Sequence, residues 1–389
     1  MVDQLQFRFL GGDAATASPA EIAGVFDAAR LTQARCLAGL TKTALAAKVM
    51  VTPAAVSQWE ARTTPPRPDH VQHLAEILQV PIGFFAAGRP HARLDASTAH
   101  FRSLRSTRAA QRAKAVAFVE QVWELAHALE QHVRLPTIDL PGFDTTLLQD
   151  GDFPTDPAAA ARMLRTRWSL GQERISHLVR TMETRGIIVT TVPFAGEETA
   201  RIDAFSTSHL PRPLVVLTPD RADDVYRHRF TAAHELGHLL LHRNSVPGDP
   251  VQEQEANLFA AEFLTPAAVI TDLLPARVDF HKFDELSRAW GVSIKSLIYR
   301  CRELGRISDA SARRAYQRLN HLHTVGLFAP QKVTGYPGET ASLLGKAFDL
   351  AHDHDLLTLP TLARQLQWTV PRLRLLLGHV DERPTLRLV

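Results

Sequence analysis

The residues best suited to chemistry lie in the run Phe230-Thr231-Ala232-Ala233-His234-Glu235-Leu236-Gly237-His238-Leu239-Leu240-Leu241-His242. On an α-helix, positions four apart share one face about 6 Å apart along the axis, so His234 and His238 can converge on one metal ion. Glu235 points to the side, where it can serve water at the metal rather than the metal itself. Such a site needs a third ligand and keeps one position open for water. The acids that could supply it lie in or just before the run 252–264. Glu253 and Asn257 are four apart and share a face. A carboxylate on the metal, with an amide one turn on that holds a histidine in place, is an arrangement with a physical purpose. Glu253 is therefore preferred as third ligand, with Asn257 behind it. Glu255 stands second, and Glu262 and Asp249 are the remaining alternatives. Tyr226, His228, Arg229 and His242 are candidates to steady an oxyanion, and the sequence does not choose among them.

These residues need rigid elements to hold them. Residues 220–242 read as one helix with a small and apolar back at Ala232, Ala233, Leu236 and 239–241. Gly237 inside a helix costs roughly 1 kcal/mol against Ala, so a close approach of another backbone is expected there. A second helix covers 252–264 and stops at Thr265-Pro266. Upstream, helices are expected over 156–168 and 172–184. A β-branched run at 187–192 reads as a strand, with further strands at 201–206 and 214–217. Strands followed by helices suggest an α+β unit.

Residues 230–242 followed by 253–266, with Ile202-Asp203-Ala204-Phe205-Ser206 and the strand 214–217 upstream, resemble the ImmA/IrrE zinc peptidases. These are the immunity-repressor and radiation-response proteases. Their pattern has an H-E-x-x-H helix, then a Glu ahead of an Ala-Asn-x-Phe-Ala-type helix ending in Leu-x-Pro. Here that helix closes on Phe263-Leu264-Thr265-Pro266. The resemblance covers about 155–266. It implies a zincin-like (gluzincin) fold, Zn²⁺ as cofactor and proteolysis of a repressor-type protein. Zn²⁺ lowers the pKa of bound water to near neutrality. Glu235 would take the proton during attack on a peptide carbonyl and pass it to the leaving amine.

A second pattern occupies 39–60. Thr41 can cap one helix; Thr52 can cap the next, with Pro53 at its first position. Ala46 is small where two helices would cross. Val56 and Trp59 face inward, leaving Ala54, Ala55, Ser57, Gln58 and Arg62 outward. A Gln near the start of a recognition helix can read adenine, and Lys42 at a helix N-terminus suits a phosphate. The block 26–85 resembles the phage-repressor-like (Xre/Cro) helix-turn-helix family, which implies double-stranded DNA as a partner. Two positions depart from that pattern. Met50 stands where the turn normally carries Gly, and Lys42 where Gln is frequent. A peptide-binding or dimerisation role is the competing reading of this head. Residues 359–371 hint at another helix-turn-helix and serve equally well as a packing module. The paired histidines His70/His73, His321/His323 and His352/His354 lack convergent carboxylates and read as surface or core residues.

The chain of 389 residues implies several domains. The expected architecture is multidomain. An all-α helix-turn-helix head at 18–88 is followed by a linker of a basic stretch and long helix at 89–135. An α+β peptidase domain fills 136–275, and an all-α region fills 276–389. Two cysteines exclude a disulfide scaffold and, with no signal peptide read at the start, fit a reducing cytoplasm. No apolar run is long enough for a membrane span. The net charge is only +3, against a coating of nucleic acid through charge alone. Locally, however, Arg89, Arg93, Arg102, Arg105, Arg108, Arg112 and Lys114 face a single acid, Asp95, a balance of +6 over 89–114. Residues 101–106 could thus add backbone contacts to DNA. The leading reading is a DNA-binding regulator fused to a zinc endopeptidase that cuts a repressor-type partner, or itself, in a stress or mobile-element response. Single-stranded DNA is a candidate signal, a toxin protein an alternative partner, and a second copy of the chain a further one. The rival is a transcription factor or antitoxin whose zincin fold is a non-catalytic sensor or scaffold.

Overall fold

The computed structural model describes residues 17–94, 109–143, 154–191, 204–218, 224–243, 249–328, 331–336 and 338–379. It divides into two compact units that do not follow the chain in simple order. One combines 1–96, 107–135 and 342–389, and the other combines 97–106 with 136–341.

The first unit opens with α1 (Pro19–Gly24), where Ser18 and Glu21 form a reciprocal capping box. The chain breaks at Val25 and does not run on as one helix towards Leu37. The Val25 carbonyl accepts from the Ala87 amide, Phe26 pairs with Ala86, and Asp27 caps a new helix, α2 (Ala28–Leu37). Tertiary pairing of the backbone here overrides a continuous helical pattern. Next come α3 (Lys42–Val49), α4 (Pro53–Glu60) and α5 (Pro68–Leu78). Thr41 accepts from the Ala44 amide at 3.1 Å and Thr52 from the Ala55 amide at 3.2 Å, as the capping pattern requires. Met50 is left-handed (φ 58°, ψ 45°) in the turn between α3 and α4.

The long helix α6 (Ala109–Leu129) is part of this unit's core rather than a solvated connector. Arg30 of α2 reaches Glu124 of α6 at 2.5 Å, and Gln33 reaches the same carboxylate at 2.8 Å. Three further helices belong to the unit: α15 (Leu343–Asp353), α16 (Leu359–Leu366) and α17 (Val370–Leu377). The last two repeat the geometry of α3 and α4. Each pair has two eight-residue helices, a Thr cap on both, and one left-handed residue between them, here Gln367 (φ 53°, ψ 45°). In this repeat Arg372 is turned inward. Its guanidinium donates to the Gln121 Oε1 atom of α6 at 2.9 and 2.5 Å. Arg89 likewise turns inward and donates to the Leu366 carbonyl.

The second unit is α+β. Its helices α7 (Pro157–Arg167) and α8 (Leu178–Thr184) precede β1 (Ile188–Thr191), β2 (Ala204–Thr207) and β3 (Leu214–Leu217). The strand order is β1-β3-β2, parallel between β1 and β3 and antiparallel between β2 and β3. Then follow α9 (Val225–Leu241), α10 (Pro250–Leu264), α11 (Ala267–Leu273), α12 (Phe280–Trp290), α13 (Ile294–Glu303) and α14 (Asp309–Thr324). One apolar core joins Trp168, Val215, Leu236 and Phe263 with Phe283, Trp290, Leu297 and Ile298. Residues 276–341 therefore share the core of the α+β unit, while 342–379 pack in the first unit. The expected separate C-terminal domain over 276–389 is not the division the contacts make.

Three buried arginines tie this unit together. Arg229 donates to the carbonyls of Gly291 (2.8 Å) and Ile175 (2.6 Å) and pairs with Glu339, which also accepts from the Leu178 amide at the start of α8. Arg165 donates to the carbonyls of Gly171 and Glu173 at 2.9 and 2.5 Å. Arg300 pairs with Glu262.

Candidate metal centre and nucleic-acid interface

Helix α9 begins where Asp224 accepts from the Tyr226 amide at 2.9 Å, and α10 where Asp249 accepts from the Val251 amide with Pro250 in the first turn. Aspartate oxygens satisfy amides that a helix start leaves without partners. The two helices pack closely side by side. A Cβ added at Gly237 would stand 3.0 Å from the Phe259 ring. The close approach expected there is thus made by an aromatic side chain of α10, not by another backbone.

This packing brings α10's first turn to the histidine pair. His234 and His238 are buried, their Nε2 atoms 3.0 Å apart. Glu253 lies 3.4 Å from His234 Nε2 through Oε2 and 3.5 Å from His238 Nε2 through Oε1. Among the described residues these three form the cluster whose ligand atoms all lie within 4.8 Å of one another. Burial opposes the charge on Glu253, but the two histidines beside it outweigh that cost and hold its carboxyl well below the usual carboxylate range. The outer nitrogens of both rings are engaged. His234 Nδ1 lies 3.0 Å from Asn257 Oδ1, and His238 Nδ1 lies 2.9 Å from His242 Nδ1. Two imidazoles that turn Nε2 towards one carboxylate make an N₂O donor set. Such a set suits a divalent ion of borderline softness, so the residues present fit a metal.

The other acids considered as ligands are occupied elsewhere. Glu255 reaches His242 Nε2 at 2.8 Å, Glu262 is paired with Arg300, and Asp249 is the cap of α10. Glu235 is buried beside the cluster. Its Oε2 atom accepts from the Ser206 hydroxyl of β2 at 2.8 Å. Ser206 was legible only as part of a family-like segment. Nothing in its spacing ties it to a glutamate 29 residues on.

A cavity of about 950 Å³ opens onto His234 and Glu235 and is walled by Tyr226, Phe230, Arg288, Tyr299 and Phe328, among others. Tyr226 is the one of the four oxyanion candidates that lines it. Burial, with the Tyr336 hydroxyl 3.0 Å away, pushes its phenol above the usual range. Arg229 is spent on Glu339 and backbone carbonyls, and His228 on the Glu339 carbonyl at 2.9 Å. His242 lies between His238 and Glu255.

In the helix-turn-helix head, Val56 and Trp59 are buried as expected. Thr52, Ala54 and Gln58 are exposed, with Ala55 and Ser57 half-buried beside them. Lys42 stands at the start of α3 but lies 3.3 Å from Glu60, and Arg62 lies 3.1 Å from Asp27. Both cations are thus partly committed within the head. Of the basic stretch, Arg89 is half-buried and turned against Glu124 and the Phe84 ring. The segment 101–106 lies outside the described residues.

Comparison with known families agrees with this division. Residues 182–302 match the IrrE N-terminal-like domain of the M78 peptidases, and residues 31–85 match a helix-turn-helix family. The chain thus carries a DNA-binding helix-turn-helix domain fused to an M78 peptidase-like domain, the ImmA/IrrE plus helix-turn-helix architecture. The peptidase match runs past Pro266 into α13, in keeping with the shared core. No curated protein matches the chain.

Proposed function

We propose that this chain is a DNA-binding regulator whose second unit is a zinc-dependent endopeptidase acting on a repressor-type protein or on itself. The observation that carries this reading is the convergence of His234, His238 and Glu253 beside a Glu235 that faces a cleft. A bound Zn²⁺ would supply Lewis acidity and a water made acidic near neutral pH. His234, His238 and Glu253 would hold it. Glu235, oriented by the Ser206 hydroxyl, would accept the proton from water and return it to the leaving amine. Tyr226, the oxyanion candidate that lines the same cleft, would donate to oxygen charge that develops on the scissile carbonyl. The cleft is large enough to take several residues of an extended peptide.

In the head, Gln58 and Ser57 would meet base edges, with Thr52, Ala54 and Ala55 at the groove and Lys42 and Arg62 at phosphates. Gln58→Ala should cost about 1–3 kcal/mol of specific DNA binding, read by gel shift against competitor DNA.

The peptidase reading is tested on purified full-length protein by zinc analysis and by cleavage of candidate repressors. Wild type should carry one zinc. Glu235→Gln should keep the zinc and lose about 10²–10⁴-fold in cleavage rate, while His234→Ala loses both. Absence of zinc from the wild type sinks the proposal. Retained cleavage in Glu235→Gln removes Glu235 as the base, and a zinc-loaded wild type that cleaves nothing leaves the sensor or scaffold reading as the better one.

A further inference from the structure

His242 was available in the sequence as an oxyanion stabiliser, yet both of its ring nitrogens are engaged away from the cleft. Its Nδ1 atom lies 2.9 Å from His238 Nδ1, and its Nε2 atom 2.8 Å from Glu255 Oε2. The ring is buried at the C-terminal end of α9. It spans the space between a metal-facing histidine and an acid on the next helix.

The chemistry of this chain of groups is fixed by one requirement. His238 can bind a metal through Nε2 only if that nitrogen offers its lone pair, and a neutral imidazole then carries its proton on Nδ1. That proton needs an acceptor, and the atom beside it is His242 Nδ1. An accepting Nδ1 places the proton of neutral His242 on Nε2, where Glu255 Oε2 accepts it. Every tautomer in the series follows from the carboxylate at its end. His234 is held differently, with its Nδ1 atom 3.0 Å from the amide oxygen of Asn257. The two ligands are thus supported asymmetrically: one by an amide on α10, the other by an imidazole backed by a carboxylate from the same helix.

We infer that His242 and Glu255 are positioning residues of the metal centre, acting in series to fix the tautomer and orientation of His238. The inference rests on the reading of His234, His238 and Glu253 as metal ligands. Partners of this kind typically change metal affinity by about 10–100-fold when removed. His242 acts directly on the ligand and Glu255 acts only through His242, so their effects cannot add.

The experiment is zinc affinity of the full-length protein by competition with a chromophoric chelator, with the visible spectrum of the cobalt-substituted protein as a second readout. His242→Leu should weaken zinc by about 10–100-fold and broaden the cobalt bands. His242→Asn, whose Oδ1 can occupy the place of the imidazole Nδ1, should recover most of that loss. Glu255→Ala should lose less than His242→Leu, and the double variant no more than His242→Leu alone. Thermal unfolding of the metal-free proteins separates misfolding from a local effect. Unchanged affinity in a folded His242→Leu overturns the inference. So does a folded His242→Asn no better than His242→Leu, or additive losses in the double variant. A wild type that binds no zinc, or a His238→Ala variant that binds it undiminished, instead overturns the metal reading beneath it.

Discussion

At the scale of single residues, the centre is divided between what a short sequence window contains and what it does not. His234, Glu235 and His238 announce themselves because helical spacing alone makes two imidazoles converge. Glu253 and Asn257 could be singled out because their own spacing suits a ligand with its support. Ser206 could not, since its partner is reached across the fold from an edge strand. It makes a clear prediction. Its hydroxyl donates to a buried carboxylate, and a hydrogen bond to a charged group contributes about 1.5–3 kcal/mol. Ser206→Ala should therefore lower turnover of a peptide substrate by about 10–100-fold while zinc content stays at one per chain. Equal loss of zinc and turnover would mean that Ser206 supports the metal site as a whole instead of Glu235.

At the scale of elements, propensity and capping located most helices, and tertiary hydrogen bonding decided the rest. The helix expected over 172–184 forms only at Leu178–Thr184. The Arg165 guanidinium takes the Gly171 and Glu173 carbonyls, and Gly171 itself is left-handed. An arginine in another helix has claimed the acceptors that a longer helix would use, and no periodicity in 172–177 could reveal it. The turn between α3 and α4 is the opposite case. Met50 stands where the turn normally carries Gly, and it is left-handed with its side chain 82% exposed. A side chain in that conformation costs about 1–2 kcal/mol that glycine avoids, offset in part by glycine's greater chain entropy. Met50→Gly should accordingly raise the melting temperature of the helix-turn-helix unit by a few degrees and leave zinc binding untouched. A lowered melting temperature would show that the exposed Met50 side chain makes contacts that outweigh the backbone strain.

At the scale of the whole molecule, charge and domain order are the features that the linear sequence conceals. The +6 stretch suggested a face for nucleic acid, yet Arg89 within it is turned inward with Arg30 against Glu124. Local charge counts do not distinguish a solvated arginine from one that holds a core together. Glu124 is the shared anion of that buried group, and removing one partner of a buried pair costs about 3–5 kcal/mol. Glu124→Gln should destabilise the first unit by that order, seen as a lowered unfolding midpoint, with the zinc site unaffected. A shift under 1 kcal/mol would mean that solvent reaches the pair.

Domain order is concealed for a related reason. Helices after Asp279 look alike in sequence, and only their buried partners reveal that α12–α14 complete the α+β unit while α15–α17 complete the other. The consequence is testable by truncation. Ending the chain at Ala341 removes Arg372 from Gln121 and the Leu366 carbonyl from Arg89, and it uncovers the face of α6 on which α15 and α16 pack. Residues 31–85 remain intact in that protein, so a self-sufficient head would keep both its stability and its DNA affinity. The contacts require the opposite outcome. The helix-turn-helix unit should unfold at a lower temperature and bind DNA more weakly, while zinc uptake is retained because every proposed metal ligand and the core around it lie before residue 341. Calorimetry with chelator competition on the truncated chain reads both effects at once. A head of undiminished stability would show that α15–α17 are an appendage and that the repeated helix-turn-helix geometry has some other use.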